Sequence, residues 1–174
     1  ELHRRNIPMT FAGARTGLVG GCVPQEGALI SLEHLDQVQA VYRDPASDEW
    51  RVKAQTSVSL KNLDGMLRIK QFPGLEQSPD PVVAQGLRDF WEDPNQYFYP
   101  PDPTEMSASL GGSVVTNASG ARTYRFGPTR AWVRGIRVFL ADGEYLDIPR
   151  GKYFASVGGQ LDRKSTRLNS SHYA

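Results

Sequence analysis

The stretch FAGARTGLVGGCVP, residues 11–24, places Gly13, Gly17, Gly20 and Gly21 within one short segment. Glycine permits left-handed backbone angles and lets a ligand approach the main chain closely. Successive backbone N–H groups in such turns form concave nests that bind anions, phosphates above all. The segment therefore predicts an anion-binding loop. A glycine-rich turn that only reverses the chain is the alternative.

Two common phosphate-binding loops do not fit this stretch. A Walker loop requires a Gly-Lys pair after four spacer residues, and none follows Gly13. A dinucleotide fingerprint requires G-x-G-x-x-G opening a helix, but the first spacing is wrong here. Gly20, Gly21 and Pro24 would also break the required helix. The sequence thus predicts a strand followed by a wide glycine nest with no helix behind it.

Composition limits the class of protein. The 174 residues are 39% hydrophobic, which is enough for one domain with a core. The chain has 20 Lys and Arg residues and 19 Asp and Glu residues, so its charge does not indicate the basic surface that is typical of nucleic-acid binding. No apolar run approaches the roughly 20 residues that span a bilayer. The single Cys22 favours a reducing, cytoplasmic compartment, with peripheral membrane association left open, and we interpret it as a small buried residue rather than a redox group.

Hydrophobic periodicity predicts a mixed α/β fold with several short strands. Ser59 is a predicted helix N-cap, followed by Leu60, Leu63 and Leu67 at helical spacing. A two-residue turn at Asp142-Gly143 predicts a late hairpin. The aromatic residues between positions 90 and 99 are interpreted as packing residues, and 71–97 carries the weakest pattern. The early predicted strands are 6–11, 28–32, 37–43 and 50–55, the last two forming a hairpin.

A second block, FYPPDPTEMSASLGGSVVTNASGARTYRFGPTRAWVRGIRVFLADGE at 98–144, follows the glycine loop. Together the two blocks resemble the FAD-linked oxidases of the vanillyl-alcohol oxidase type, over about residues 1–151. The similar branch contains D-lactate dehydrogenases, the glycolate oxidase FAD subunit and alkylglycerone-phosphate synthase. The resemblance implies a PCMH-type FAD-binding domain of α/β (α+β) class. It has two subdomains, one with a small parallel sheet and one with a larger, mostly antiparallel sheet, and FAD lies between them.

The resemblance also implies which residues hold the cofactor. The amides of the glycine loop would bind the pyrophosphate, and a side chain at Gly17 would both collide with it and strain the backbone. Hydroxyls of the second block would contact the ribityl chain or flavin ring, with local turn capping as the alternative. The side chain of Arg15 either adds a charged contact or points to solvent. The predicted cofactor-binding residues are Gly13, Ala14, Arg15, Thr16, Gly17, Gly21, Pro101, Asp102, Thr104, Ser107, Ser109, Gly111, Gly112, Thr116, Asn117 and Ser119.

Some positions depart from the family pattern. Thr56 and Ser57 stand where relatives often carry Pro-Gly, and 71–97 is longer and less regular than the expected link. His3 and His34 match no covalent flavin-attachment motif, so we expect non-covalent FAD. No metal ligand and no catalytic residue is assigned.

The two ends of the chain are unusual. Residues 162–172, DRKSTRLNSSH, back-translate in frame to a common short-read sequencing adapter. We therefore expect 162–174 to be a non-native tail and 1–161 to be a partial FAD-binding domain, truncated at both ends.

The resemblance implies an FAD-dependent oxidoreductase that oxidises a 2-hydroxy acid of the D-lactate or glycolate type by hydride transfer to flavin N5. A C-terminal cap domain, absent here, would bind the small-molecule substrate, so the fragment alone is expected to be inactive. The electron acceptor is not assigned. Alternatives are a non-redox enzyme similar to alkylglycerone-phosphate synthase and a truncated FAD-binding module without turnover. A nicotinamide-binding reductase is disfavoured by the loop spacing.

Overall fold

The computed structural model describes residues 1–101 and 104–153. The predicted tail from Asp162 onward and the predicted site residue Asp102 lie outside these ranges. The described part is mixed α/β, as expected. Its elements in chain order are β1 Met9–Ala12, β2 Ala28–Ser31, β3 Val38–Arg43, β4 Trp50–Ala54, α1 Leu60–Ile69, α2 Pro81–Glu92, α3 Leu110–Val115, α4 Thr123–Phe126, a short 3-10 turn Thr129–Ala131, β5 Gly135–Phe139 and β6 Tyr145–Pro149.

The glycine loop connects two parallel strands. β1 pairs with β2 from Met9 opposite Ala28 to Ala12 opposite Ser31, and no helix lies between them. This arrangement confirms the predicted strand and wide loop. β1 begins three residues later than predicted, because Asn6 lies in a turn with a left-handed φ of 51° and the pairing with β2 starts only at Met9.

The hairpin and first helix agree with the sequence. β3 and β4 pair antiparallel, with an irregularity between Val38 and Ala40. The Ser59 side chain accepts a hydrogen bond from the amide of Asn62, which satisfies one of the unpaired N–H groups at the start of α1. The face of α1 that is buried in the core consists of Leu60, Leu63 and Leu67.

Helix α2 occupies the segment in which the sequence pattern was weakest. Asp80 caps it through a 2.9 Å hydrogen bond from the Val82 amide, and Pro81 occupies its first turn. Leu87 and Phe90 are buried at helical spacing, and Gly86 lies directly against the carbonyl of Val41 in β3. The Pro-rich connector before Asp80 hid this start signal.

Aromatic residues pack around Phe90, as predicted. Phe90 is 1% exposed and contacts the rings of Trp50, Phe72 and Tyr97 at centroid distances of 4.9, 5.7 and 5.1 Å. Trp91 is half-exposed instead. The core of the described chain thus lies between α1, α2 and the β3–β4 hairpin.

The late hairpin is present, but its turn differs from the prediction. β5 and β6 pair from Gly135 opposite Pro149 to Phe139 opposite Tyr145. The amide of Leu140 donates to the carbonyl of Glu144, and the amide of Gly143 donates to the carbonyl of Leu140. The loop therefore has three residues, with Gly143 in the left-handed position that such loops require. The prediction of a two-residue turn was wrong.

The sheets are smaller than the resemblance implied. Among the described residues the antiparallel strands form two separate two-stranded pairs rather than one larger sheet. Arg134 links the two hairpins, because it donates to both carboxylate oxygens of Glu49, at 3.0 and 3.2 Å. This interaction holds the pKa of Glu49 below its ordinary value.

Candidate functional site

The glycine loop offers unpaired backbone amides. Among the described residues, the N–H groups of 13–19 donate to no backbone or side-chain acceptor. Arg15 has a φ of 58° and Gly20 a φ of 72°, and the turn closes with a hydrogen bond from the amide of Val23 to the carbonyl of Gly20. Unpaired amides in a loop with alternating backbone handedness fit an anion such as a diphosphate.

Three glycines of this loop border open space. A β-carbon added at Gly17, at Gly20 or at Gly21 would meet no atom within 4 Å. Gly17 does not adopt a left-handed φ, so the expected backbone strain of a side chain there was wrong. Gly17 therefore adds no side chain beside the unpaired amides, and of its neighbours Ala14 is exposed and Thr16 is half-buried.

The two sequence blocks meet where β1 ends and α3 begins. A β-carbon on Gly13 would lie 2.9 Å from the hydroxyl oxygen of Ser109. Ser109 also forms an antiparallel bridge with Ser59, which precedes α1. The fold therefore brings the glycine loop and the second block together, although Gly13 and Ser109 lie 96 positions apart in the sequence.

The glycine pair of α3 has a packing function within the protein. The amide of Gly111 donates to the carbonyl of Thr56 at 2.8 Å, and a β-carbon on Gly111 would overlap the hydroxyl of Thr56. The amide of Gly112 donates to the Ser109 hydroxyl at 3.2 Å. Both amides are thus occupied, and these glycines can offer a flavin only the surface of their main chain. Their contact with the cofactor stays a prediction.

Several predicted hydroxyls have partners inside the protein. Ser109 is buried and caps α3, while the Thr116 hydroxyl donates to the carbonyl of Gly112 at 2.9 Å. The Ser107 hydroxyl donates to Glu105 at 2.6 Å and thereby holds the pKa of that carboxyl below its ordinary value. These contacts correspond to the capping alternative. Thr104 and Ser119 are exposed.

Asn117 holds the turn that follows α3. It has a left-handed φ of 48°, and its side-chain oxygen accepts a hydrogen bond from the amide of Arg130 at 3.1 Å. The adjacent carbonyl of Ala118 accepts both the amide and the hydroxyl of Thr129. Asn117 therefore orients the second block beside the candidate site.

The start of the second block is anchored to α1. The amide of Tyr99 donates to Asp64 at 2.9 Å, and burial of the Tyr99 ring raises the pKa of its hydroxyl. Pro101 is buried beyond it. This anchoring fixes the position from which the second block approaches the glycine loop.

A groove beside β5 and β6 was not predicted from the sequence. Its volume is about 240 Å³. Arg150 borders it and donates to the carbonyls of Arg130 and Val133, at 2.6 and 3.0 Å. Ile136 and Ile148 are cross-strand partners that line the groove, and the alternation of apolar residues along β5 and β6 is the sequence signal that could have indicated it.

The described ranges contain neither a metal centre nor a membrane-spanning helix. No three His, Cys, Asp or Glu side chains converge there in a way that could hold a metal ion. No helix in those ranges is long and apolar enough to cross a membrane. Cys22 is a half-buried free thiol within the glycine loop.

Comparison with known proteins gives one family match and several similar proteins. Residues 91–149 match the family described as FAD binding domain. The chain is 34% identical over 147 residues to a D-lactate dehydrogenase of Anaerostipes hadrus, an alignment that covers 84% of the chain and 25% of that protein. It is 32% identical over 155 residues to the glycolate oxidase subunit GlcD of Bacillus subtilis, covering 88% of the chain and 27% of that protein.

A third similar protein carries another substrate name. The chain is 32% identical over 144 residues to a D-2-hydroxyglutarate dehydrogenase of Xanthomonas citri pv. viticola, covering 82% of the chain and 24% of that protein. The chain thus spans about a quarter of the length of the curated relatives it matches.

Proposed function

The chain belongs to the FAD-linked oxidase family, and from that premise we propose that it forms the FAD-binding part of an oxidoreductase acting on a 2-hydroxy acid. One observation carries the proposal: the unpaired amides of residues 13–19 lie beside the second block, through the contact of Gly13 with Ser109. A nest of this kind suits the cofactor's diphosphate, and the block that adjoins it falls within the residues matched to the FAD-binding family.

We infer a division of roles among the residues of this chain. The amides of Gly13, Ala14, Arg15, Thr16 and Gly17 bind the pyrophosphate. The main chain at Gly111 and Gly112 lies against the flavin, and the capped start of α3 keeps that surface rigid. The chemistry that FAD supplies when bound is acceptance of a hydride at N5.

The substrate remains a proposal by chemical class. The relatives are named D-lactate dehydrogenase, glycolate oxidase subunit and D-2-hydroxyglutarate dehydrogenase. The acids in these three names are all 2-hydroxy carboxylates. Oxidation of such a compound moves the C2 hydrogen as hydride and the hydroxyl hydrogen as a proton. We assign the proton acceptor and the substrate contacts to a cap domain outside this chain, which spans about a quarter of the length of its curated relatives.

We further propose that the FAD is held without a covalent bond and that the protein works in a reducing, cytoplasmic compartment. The single cysteine supports the compartment, because it excludes an internal disulfide. His3 and His34 match no flavin-attachment motif, which supports non-covalent binding.

Anaerobic mixing of the FAD-loaded, full-length protein with D-lactate, glycolate or D-2-hydroxyglutarate tests the activity. We expect at least one of these acids to bleach the visible absorption of the flavin. Succinate, which lacks the hydroxyl, serves as the control and should leave the spectrum unchanged. If none of the hydroxy acids reduces a flavin that dithionite can reduce, the proposed substrate class is wrong.

A further inference from the structure

Arg15 is the charged residue of the segment 13–19, and two features of its backbone place it in the candidate nest. Its φ of 58° lies in the left-handed region that side-chain-bearing residues adopt rarely and at a cost. It also lies in the middle of the segment 13–19, whose amides have no partner among the described residues. The guanidinium of Arg15 therefore belongs to a residue of the candidate binding loop itself, where it is the charged group.

The Arg15 side chain is held by a weak partner. Its guanidinium nitrogen Nη2 lies 3.7 Å from Oε2 of Glu33, which follows β2, and the two side chains are 56% and 59% exposed. This separation is longer than a hydrogen bond, and exposed ion pairs contribute little to stability. Glu33 therefore keeps the guanidinium beside the loop without binding it tightly.

A diphosphate is a stronger partner for the same group. Contacts between arginine and phosphate are charge-assisted and often bidentate, and they exceed the strength of a long, solvent-exposed pair with a carboxylate. An anion seated on the amides of 13–19 would lie next to the residue that carries this guanidinium. Exchange of the Glu33 carboxylate for a phosphate group as the partner of the Arg15 guanidinium would then be favourable.

We propose that Arg15 exchanges Glu33 for the pyrophosphate when FAD enters the loop, so that Arg15 is a side-chain contact to the cofactor and Glu33 is its competitor. The inference rests on the proposed function, since it takes FAD as the ligand. It adds a side-chain contact to the backbone contacts proposed above.

The test is the dissociation constant for FAD, measured by flavin fluorescence at low and high salt. Arg15→Gln keeps the left-handed backbone and removes the charge, so we expect binding about tenfold weaker, or about 1.4 kcal/mol, with a smaller salt dependence. Glu33→Gln removes the competitor and should tighten binding severalfold. In the Arg15→Gln background, Glu33→Gln should have no effect.

A matched variant separates the side chain from the backbone. Arg15→Gly relieves the left-handed strain, so it should raise the melting temperature of the flavin-free protein while weakening FAD as Arg15→Gln does. Parental affinity in Arg15→Gln, or an unchanged affinity in Glu33→Gln, would overturn the exchange. If the parent protein itself takes up no FAD, the proposed function fails instead.

Discussion

The hydroxyl oxygen of Ser109 lies 2.9 Å from the point that a β-carbon on Gly13 would occupy, so the first glycine of the loop packs directly against the cap of α3. The same hydroxyl oxygen accepts a hydrogen bond from the amide of Gly112. A methyl group at position 13 would therefore have to displace a group that is already committed to the helix. This contact couples the two halves of the candidate site.

Gly13→Ala should destabilise the protein by about 1 kcal/mol, the usual value of a helix cap, because Ser109 must move away from Gly112. In a Ser109→Ala background the cap is already lost, so the same substitution should cost much less. Urea unfolding of the four proteins of this cycle measures the coupling. Strictly additive losses would show that the two residues do not interact.

Gly17→Val should abolish tight FAD binding while leaving the fold intact. The added β-carbon meets no protein atom within 4 Å, so the side chain extends into the space assigned to the phosphates. Loss of two charge-assisted contacts, at about 1.5–3 kcal/mol each, corresponds to orders of magnitude in affinity. FAD titration is the measurement, with the melting temperature of the flavin-free protein as the folding control.

Cys22→Ser is the comparison variant for that titration. Cys22 lies in the same loop, but we assign its thiol no chemistry, so affinity should stay within severalfold of the parent. A normal affinity in Gly17→Val together with a lost affinity in Cys22→Ser would show that the glycines only turn the chain.

Gly86→Ala should destabilise the fold by about 1–3 kcal/mol, because the new methyl group would overlap the backbone carbonyl of Val41, which cannot rotate away. Gly65, in α1, is the matched control. A β-carbon there meets nothing within 4 Å, so Gly65→Ala should stabilise the helix by about 0.5–1 kcal/mol. Chemical denaturation compares the two. Equal effects would contradict the close packing of α2 on β3.

Asp93 should make stability depend on pH in acid. The indole N–H of Trp50 donates to its carboxylate at 2.9 Å, and with the Asn95 amide this lowers the pKa of Asp93 to about 2 from an ordinary 3.8. Because the folded-state pKa is the lower one, the contribution is complete above the ordinary value and is lost as the pH falls through about 2.

Asp93→Asn and Trp50→Phe should both flatten the unfolding free energy between pH 4 and pH 2, since each removes this interaction. Denaturant titrations at several pH values within that window measure the slope. A variant that keeps the parental slope would show that another carboxylate is responsible.

Local patterns in the sequence were sufficient for much of the fold. Three features depend only on residues that are close together in the sequence, and local patterns therefore predicted them. They are the cap at Ser59, the β3–β4 hairpin and the burial of Leu60, Leu63 and Leu67. Helix α2 escaped because prolines surround its start and the aromatic residues near its end obscure the helical period. The turn at Gly143 was misjudged by one residue, because the same Asp-Gly pair serves two- and three-residue loops.

The site was predictable as a set of segments but not as a geometry. Family resemblance selected Gly13 and Ser109, yet nothing local indicates that they touch across the fold. Nor could the sequence show that the amides of Gly111 and Gly112 are occupied by Thr56 and Ser109, since that depends on the pairing of distant backbone segments. The Arg15–Glu33 pair is of the same kind.

Titration of the flavin-free protein with FAD tests the central claim most directly, because that claim is that the glycine loop and the start of α3 together hold this cofactor without a covalent bond. Flavin fluorescence should be quenched to saturation at one equivalent of FAD, and denaturation should then release all of the flavin into the supernatant. A protein that takes up no FAD, or a flavin that stays with the precipitated chain, would contradict the account.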